Sequence, residues 1–369
     1  MFVMVGSTAD DGNQGSQLLK LLDGLPLALT QASAYMQQTG TSFAQYINLY
    51  TTQWKDLMQS QEEDGIPLPE YHRSIWTTWM ISFKAIRGKS AAAMDLLLLW
   101  AFLDNRDLWY GLFDNIGERD ILASPIYRSS LHEIGRNEVA FNRAIRLLLN
   151  YCLADKLENL AGYVVHPVVH LWARHVQSEE QRVGFARFAV TMIGYAVPSD
   201  SEPDFWIAQK RMLRHADCCF QWVVTDSIEI LRPQDRCGEE RSIRDNNLED
   251  ILNALLGLGN LYRDQGKLQQ AEEMYQRALQ GFEKALGNEH TSTLTTVNNL
   301  GALYQIQGKM EQAEEMYQRA LQGFEKALGK EHTSILTTVN NLGNLYAGQG
   351  KLEEAEKMYQ RALQGYEEA

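Results

Sequence analysis

The segment LGNLYRDQGKLQQAEEMYQRALQGFEKALG, which begins at Leu258, decides the fold of this chain. Related copies, LGALYQIQGKMEQAEEMYQRALQGFEKALG and LGNLYAGQGKLEEAEKMYQRALQGY, begin at Leu300 and Leu342, so the pattern recurs every 42 residues. Chance does not preserve so many identities at a fixed spacing. A repeated unit of this length is typical of stacked arrays, in which each unit buries its apolar face against the next.

Each copy contains two apolar stripes with helical spacing. Leu300, Leu303 and Tyr304 share one helix face, and Gly308 ends that helix. The second stripe consists of Met310, Ala313, Met316, Tyr317, Ala320, Leu321 and Phe324. Each copy is therefore predicted to be a helical hairpin. Small residues at Gly301 and at the two alanines would let its helices approach closely, with the large side chains filling the remaining space.

The repeat resembles the tetratricopeptide repeat. The residues that carry the resemblance are Leu258, Gly259, Tyr262, Ala271, Tyr275 and Ala278. The 42-residue period, with its NNLGxLY and ALGxEH segments, is most similar to the kinesin light chain subtype. The resemblance covers roughly residues 250 to 369 and implies an all-α solenoid whose function is to bind protein.

In that family the first helices of successive repeats line a concave groove. The inward positions would be Asn253, Leu256, Asn260 and Arg263, then Thr295, Asn298, Ala302 and Gln305, then Thr337, Asn340, Asn344 and Ala347. The resemblance thus predicts peptide binding by Asn253, Asn260, Arg263, Asn298, Gln305, Asn340 and Asn344. An asparagine amide can donate and accept, so such a column could hold a peptide backbone whatever its side chains. The alternative is that these asparagines are solvated or cap local turns.

Residues 18–36, LLKLLDGLPLALTQASAYM, predict two helices separated at Gly24-Leu25-Pro26, because proline lacks a donor and restrains its predecessor. The segment resembles the GLPL element of NB-ARC, the nucleotide-binding region of STAND-type signalling ATPases. In that family the proline lies against the adenine. The resemblance therefore assigns Pro26 to a remnant of a nucleotide site.

Two later stretches resemble the winged-helix subdomain that follows NB-ARC in fungal relatives. They are residues 74–104 and residues 141–175, the second predicted as a helix, a small hairpin turning near Asn159 to Gly162, and a further helix. YVVHPVVHLWA resembles the MHD-type motif, whose histidine approaches the ADP phosphate, and the matching residue is His166. Pro167 stands where that motif usually has aspartate, so a structural role for His166 is the alternative.

The sequence contains no GxxxxGK[ST] phosphate-binding loop. Gly88-Lys89-Ser90 is preceded by Phe83 where the first glycine should be, inside a helical segment. The chain therefore resembles the C-terminal part of a fungal NB-ARC protein and is expected not to be an enzyme. The predicted domains are an NB-ARC helical remnant (1–70), a winged-helix-like domain (71–180), a helical connector (181–249), with a charged linker at 232–250, and the three repeats (250–369).

Composition narrows the remaining possibilities. A net charge of -13 disfavours nucleic acid and anionic membrane surfaces as partners. The four cysteines form no CxxC pair, which favours a reducing, cytoplasmic location. His166, His170 and His175 could suggest zinc, but no HExxH is present and Pro167 interrupts their spacing. No metal and no cofactor are expected.

These observations favour a protein-binding scaffold or sensor module in a signalling or fungal incompatibility type of pathway. One alternative is an ADP- or ATP-responsive switch in which Pro26 and His166 complete a nucleotide site supplied by another chain. Another is a kinesin-light-chain-like cargo adaptor. The third repeat keeps the interior apolar pattern at Leu352, Ala355, Met358, Tyr359, Ala362 and Leu363. This pattern predicts an exposed apolar face and self-association.

Overall fold

The computed structural model describes residues 9–64, 70–113, 130–158, 161–199, 201–225, 241–328 and 332–368. The chain divides into two compact units, Met1–Glu118 with Ser124–Phe185, and Arg119–Ala123 with Ala186–Ala369. Helices make up nearly all of the regular structure in the described residues, which confirms the all-α prediction.

The first unit contains eight α-helices in its described residues, one 3-10 turn and one small hairpin. The helices are α1 (Ala9–Leu21), α2 (Pro26–Thr39), α3 (Phe43–Asp64), α4 (Glu70–Lys89), α5 (Ala91–Trp100), α6 (Ser130–Arg136), α7 (Glu138–Asn150) and α8 (Pro167–His175), and the 3-10 turn is Tyr110–Phe113. The helix α9 (Glu179–Ala196) begins in this unit and ends in the second.

The second unit continues with helical pairs. Its further helices are α10 (Phe205–Val224), α11 (Arg241–Asp264), α12 (Leu268–Leu286), α13 (Thr291–Ile306), α14 (Met310–Leu328), α15 (Thr333–Gly348) and α16 (Leu352–Glu368). The pairs α11–α12, α13–α14 and α15–α16 are the three predicted hairpins. Gly266, Gly308 and Gly350 separate their helices with φ between 72° and 78°, a conformation that glycine adopts at little cost.

The predicted break at Pro26 is confirmed. The helix α1 ends at Leu21, Gly24 has a φ of 65°, and Pro26 is the first residue of α2, where its missing N–H leaves no bond unmade. The false phosphate-loop match is helical, as predicted. Lys89 ends α4 and its Nζ donates to the hydroxyl of Tyr151 (2.9 Å), while Ser90 caps α5.

The hairpin predicted between α7 and α8 is also present. Its strands β1 (Asp155–Lys156) and β2 (Tyr163–Val164) pair antiparallel, with Asp155 opposite Val164. Leu108 and Tyr163 exchange backbone hydrogen bonds of 3.0 and 2.9 Å on the other side of β2. The predicted turn includes residues 159–160, which lie outside the described residues.

Side chains of α8, and Gln177 just after it, bind backbone carbonyls at and just beyond the carboxyl end of α5. His170 Nε2 lies 2.9 Å from the oxygen of Trp100 and 3.0 Å from that of Leu103. Arg174 donates to Ala101 through Nε and Nη2 at 3.1 and 2.6 Å, and Gln177 donates to Leu98 at 3.1 Å. These contacts satisfy carbonyls that the end of a helix leaves without a partner.

The contacts of His170 make stability depend on pH. Burial and the nearby Arg174 lower the pKa of His170, and its carbonyl partners and Asp104 offset this only in part. The unfolded chain therefore binds a proton more readily, and stability is lost as pH falls through the ordinary histidine pKa of about 6.5. We expect the melting temperature of the first unit to fall between pH 7.5 and 5.5, by calorimetry. His170→Asn should flatten that slope, and an unchanged slope would contradict the assignment.

The charged-linker prediction for 232–250 is wrong in its second half. Residues 241–250 form the beginning of α11 rather than a linker. Asp250 accepts a hydrogen bond from the hydroxyl of Tyr195 (3.1 Å), so this end of the helix makes a tertiary contact. This segment is mostly charged and polar, so it lacks the apolar periodicity from which a helix is predicted.

Candidate functional site

The first helices of the second and third repeats carry no charged residue, whereas the second helix of each repeat is rich in charge. TSTLTTVNNLGALYQI (α13) and TSILTTVNNLGNLYAG (α15) contain no Asp, Glu, Lys or Arg. Glutamates, lysines and arginines alternate along α12, α14 and α16. The helices α13 and α15 thus present threonine, asparagine and alanine where the second helices present ions.

The predicted groove residues lie outside the buried stripe of these first helices. Asn340 and Asn344 are exposed, and Asn253, Asn260, Arg263, Asn298 and Gln305 are half-buried. The packing residues beside them, such as Leu300 and Leu303, are at most 2% exposed. The predicted separation of these positions from the packing residues is therefore present, and the amides are partly or fully exposed.

A tyrosine of the second helix bonds a groove amide in every repeat. Tyr275 donates to Oδ1 of Asn260 (2.6 Å), and Tyr359 donates to Oδ1 of Asn344 (2.8 Å). In the middle repeat Ala302 stands at the matching position, and Tyr317 donates instead to Oε1 of Gln305 (3.0 Å), one helical turn later. The amide acceptor is retained although its position changes.

A hydrogen bond between asparagines joins the first helices of the second and third repeats. Nδ2 of Asn341 donates to Oδ1 of Asn298 across α15 and α13 at 3.4 Å. At the first repeat, Arg263 donates to Oδ1 of Asp264 through Nε and Nη2 at 3.0 and 2.8 Å. Asp264 also accepts from the buried Gln209 (3.0 Å), so the one cation among the predicted residues is already balanced by a carboxylate.

Another contact recurs in each repeat and joins its hairpin to the helix that precedes the hairpin. A lysine just after the first helix forms an ion pair with a carboxylate of that preceding helix. The same lysine lies over the ring of a tyrosine near the end of the first helix. The sets are Tyr304, Lys309 and Glu272; Tyr346, Lys351 and Glu314; and Tyr262, Lys267 and Asp217. Because Asp217 belongs to α10, this helix takes the place of a preceding second helix, and repeat-like packing begins before the recognised repeats.

Sequence reasoning missed this role of α10. The lysine and its carboxylate are 37 residues apart in the later repeats and 50 apart at Lys267 and Asp217, so a search at constant spacing passes over it. One signal in the sequence could have found it. A lysine follows the first helix of every repeat, and in the second and third repeats it pairs with an acidic residue of the helix before. The same pairing at Lys267 points to an acidic residue on the helix that precedes the first repeat.

The two residues predicted for a nucleotide site have ordinary structural roles. Pro26 is exposed at the start of α2, and His166 is the exposed N-cap of α8, with Nδ1 accepting from the backbone of Val168 (3.3 Å). His290 and His332 cap α13 and α15 in the same way. The geometry therefore supports the structural alternative for His166, and the nucleotide role of both residues stays a prediction.

Within the described part of the chain, no group of three or more His, Cys, Asp or Glu side chains is placed so that it could hold a metal ion. Cys152, Cys218 and Cys219 are unbridged. Burial raises the pKa of the Cys219 thiol, which makes it less reactive. Among the described helices, none combines the length and the apolarity needed to cross a bilayer.

A family model for the tetratricopeptide repeat matches residues 250–325 and 292–368. Residues 250–368 are tetratricopeptide repeats. The sequence-based identification of the repeats is thereby confirmed, and this part of the chain is a protein-interaction scaffold rather than a catalytic fold. Proteins with such repeats generally bind protein or peptide partners.

Other known proteins resemble a larger part of the chain. A nucleotide-binding leucine-rich repeat (NLR)-like protein of Hyaloscypha variabilis is 27% identical over 296 residues, which are 78% of this chain and 26% of that protein. The chain thus spans about a quarter of the length of this curated relative. The predicted resemblance to NLR-like fungal proteins is confirmed by this similarity.

Solved structures with similar chains include a putative kinesin light chain and the protein BtubC (BKLC). A Podospora anserina putative kinesin light chain with nearly identical TPR-like repeats is 20% identical, with 66% of this chain and 97% of that one covered and a TM-score of 0.40. BtubC (BKLC) of P. vanneervenii is 21% identical, with 52% and 75% covered and a TM-score of 0.34.

Proposed function

We propose that the chain is the scaffold or sensor module of an NLR-like protein and that it holds a peptide or protein segment against the first helices of its repeats. The observation that carries this proposal is the contrast between α13 and α15, which carry amides and no charge, and the ionic second helices. An uncharged polar surface can be desolvated by a ligand at lower cost than an ionic one.

The arrangement of the amides supports a ligand that lies along the groove. Asn260, Asn298, Gln305 and Asn344 come from three successive first helices, and each is held by a partner within the solenoid. Anchored side chains lose less rotational freedom on binding, so more of each hydrogen bond contributes to affinity. A bound segment would therefore contact several repeats at once.

The proposal is tested by a peptide library displayed against the full chain. Peptides selected on the wild type should bind Asn298→Ala and Asn340→Ala more weakly, by about 1 kcal/mol for each lost hydrogen bond. Replacing Thr295 or Thr337 with a bulky residue should also weaken peptide binding, because both are exposed at predicted groove positions. Gln280→Ala on the exposed face of α12 is the matched control. Equal affinity for all variants would remove the first helices from the site.

We also propose that the outer face of α16 is a contact surface for a second copy of this chain. Tyr359 and Tyr366 are 38% and 54% exposed, whereas Tyr317 and Phe324, which occupy the same places in α14, are 1% and 2% exposed. Leu352 and Leu363 extend the apolar face and are 69% and 61% exposed. The next hairpin covers the corresponding positions of α14. An apolar helix face of a second copy would therefore complement the exposed face of α16.

Self-association is expected to depend on this face. Sedimentation of the wild type should show weight-average mass rising across the micromolar range, and Leu363→Glu should return the chain to a monomer by placing a charge in the apolar contact. Gln322→Glu, which adds the same charge to an exposed position of α14, should leave association unchanged. A wild type that is monomeric at every concentration would contradict the proposal.

A further inference from the structure

Four of the six amides at the predicted groove positions have their oxygens bonded within the solenoid. Asn260, Gln305 and Asn344 accept from tyrosine hydroxyls, and Asn298 accepts from Asn341. Because the oxygen and the nitrogen stand at opposite ends of an amide, the NH₂ group of each is left for the groove. An NH₂ group offers two donors and no acceptor. The groove therefore presents hydrogen-bond donors.

The tyrosine hydroxyls hold the amides in this orientation. Burial raises the pKa of Tyr275 and of Tyr317, so both hydroxyls keep their protons at neutral pH and donate to the amide oxygens. Gly259 and Gly301 fix the rings, since a Cβ at either position would lie 2.4 or 2.8 Å from a ring atom of the tyrosine opposite. The amide oxygen is thus the acceptor that each buried hydroxyl requires.

A ligand that suits donors offers acceptors. Backbone carbonyls are the acceptors of any peptide, but most peptides also bring N–H groups, which would lie unpaired against a surface of donors. Proline keeps its carbonyl and has no N–H. A proline-rich segment therefore matches the groove without leaving a donor unmatched.

The conformation of such a segment suits this role. Proline-rich segments adopt the polyproline II helix, which makes no internal hydrogen bonds. Its backbone carbonyls are therefore free to accept hydrogen bonds from the amide nitrogens.

We propose that the groove binds a proline-rich segment in the polyproline II conformation, whose carbonyls accept hydrogen bonds from the amide nitrogens of Asn260, Asn298, Gln305 and Asn344. This inference rests on the proposed function of the first-helix surface and specifies its ligand.

The test uses fluorescein-labelled nonaproline and the full chain, with binding measured by fluorescence anisotropy. Asn298→Asp and Asn344→Asp retain an oxygen for Asn341 and Tyr359, lose the NH₂ group and add one negative charge. Each should weaken binding about fivefold, and the double variant about 25-fold. Gln280→Glu and Gln322→Glu add the same charge on the exposed faces of α12 and α14 and should leave affinity unchanged. Matching melting temperatures for all four variants would show that folding is retained.

Three outcomes would overturn the inference. One is the absence of saturable nonaproline binding, another is equal weakening by the groove and control variants, and the third is tighter binding of a nine-residue glycine-serine peptide. If nonaproline fails while library-selected peptides still bind the groove, the ligand class is wrong and the proposed function stands. If no peptide binds the first-helix surface, the proposed function fails as well.

Discussion

Gly257→Ala is expected to lower the free energy of unfolding of the second unit by about 3 kcal/mol, a large effect for one methyl group. A Cβ at Gly257 would lie 2.0 Å from the backbone oxygen of Gly194, and a Cβ at Gly194 would lie 2.2 Å from that of Ala254. Both obstacles are backbone atoms, so neither can move aside as a flexible side chain would. The helices α9 and α11 would have to separate.

Urea unfolding of the full chain, followed by circular dichroism, measures this effect. Gly348→Ala is the matched control, because a Cβ there meets nothing within 4 Å. Alanine in place of a helical glycine stabilises by roughly 0.5–1 kcal/mol, so this control should be neutral or slightly more stable than the wild type. Similar effects for the two variants would show that α9 and α11 are not in close contact.

Trp172→Ala is expected to destabilise the first unit by about 3–5 kcal/mol, the usual cost of removing a large buried aromatic. Trp172 is 1% exposed, and its ring centre lies 5.6 Å from that of Trp79 and 5.7 Å from that of Phe83. The substitution would leave a cavity between α4 and α8, where these three rings pack. It would also disturb the helix that holds the carboxyl end of α5.

Calorimetry checks this prediction, since a chain with two compact units need not unfold in one transition. The melting temperature of the transition that belongs to the first unit should fall, and that of the second unit should not change. Leu171→Ala, on the same helix but 49% exposed, should change the melting temperature little. A small effect of Trp172→Ala would mean that the aromatic cluster contributes less to the core than its burial indicates.

The repeats could be predicted in detail because their determinants are local and recur. The close approach expected at Gly301 is present, since a Cβ there would lie 2.8 Å from the ring of Tyr317. Ala313 and Ala320 are fully buried, as the second stripe predicts. The two helices of a hairpin are consecutive in the chain, so the spacing of small and large residues determines which of them meet.

Other features could not be predicted because they join distant parts of the chain. The contact of Gly194 with Gly257 and the ion pair of Asp217 with Lys267 depend on how α9 and α10 pack on α11, which no local periodicity states. The groove positions followed from the family resemblance, but the orientation of their amides did not. It depends on tyrosines 12 to 15 residues away in sequence, whose hydroxyls select the oxygen.

The central claim is that a ligand lies against the first helices of the repeats, and site-specific photo-crosslinking tests it most directly. A benzophenone amino acid is placed at Thr337, exposed on α15, or at Gln322, exposed on α14, in the full chain. A library-selected peptide should crosslink from Thr337 and be displaced by unlabelled peptide. Crosslinking from Gln322 alone would place the ligand on the charged second helices and contradict the account.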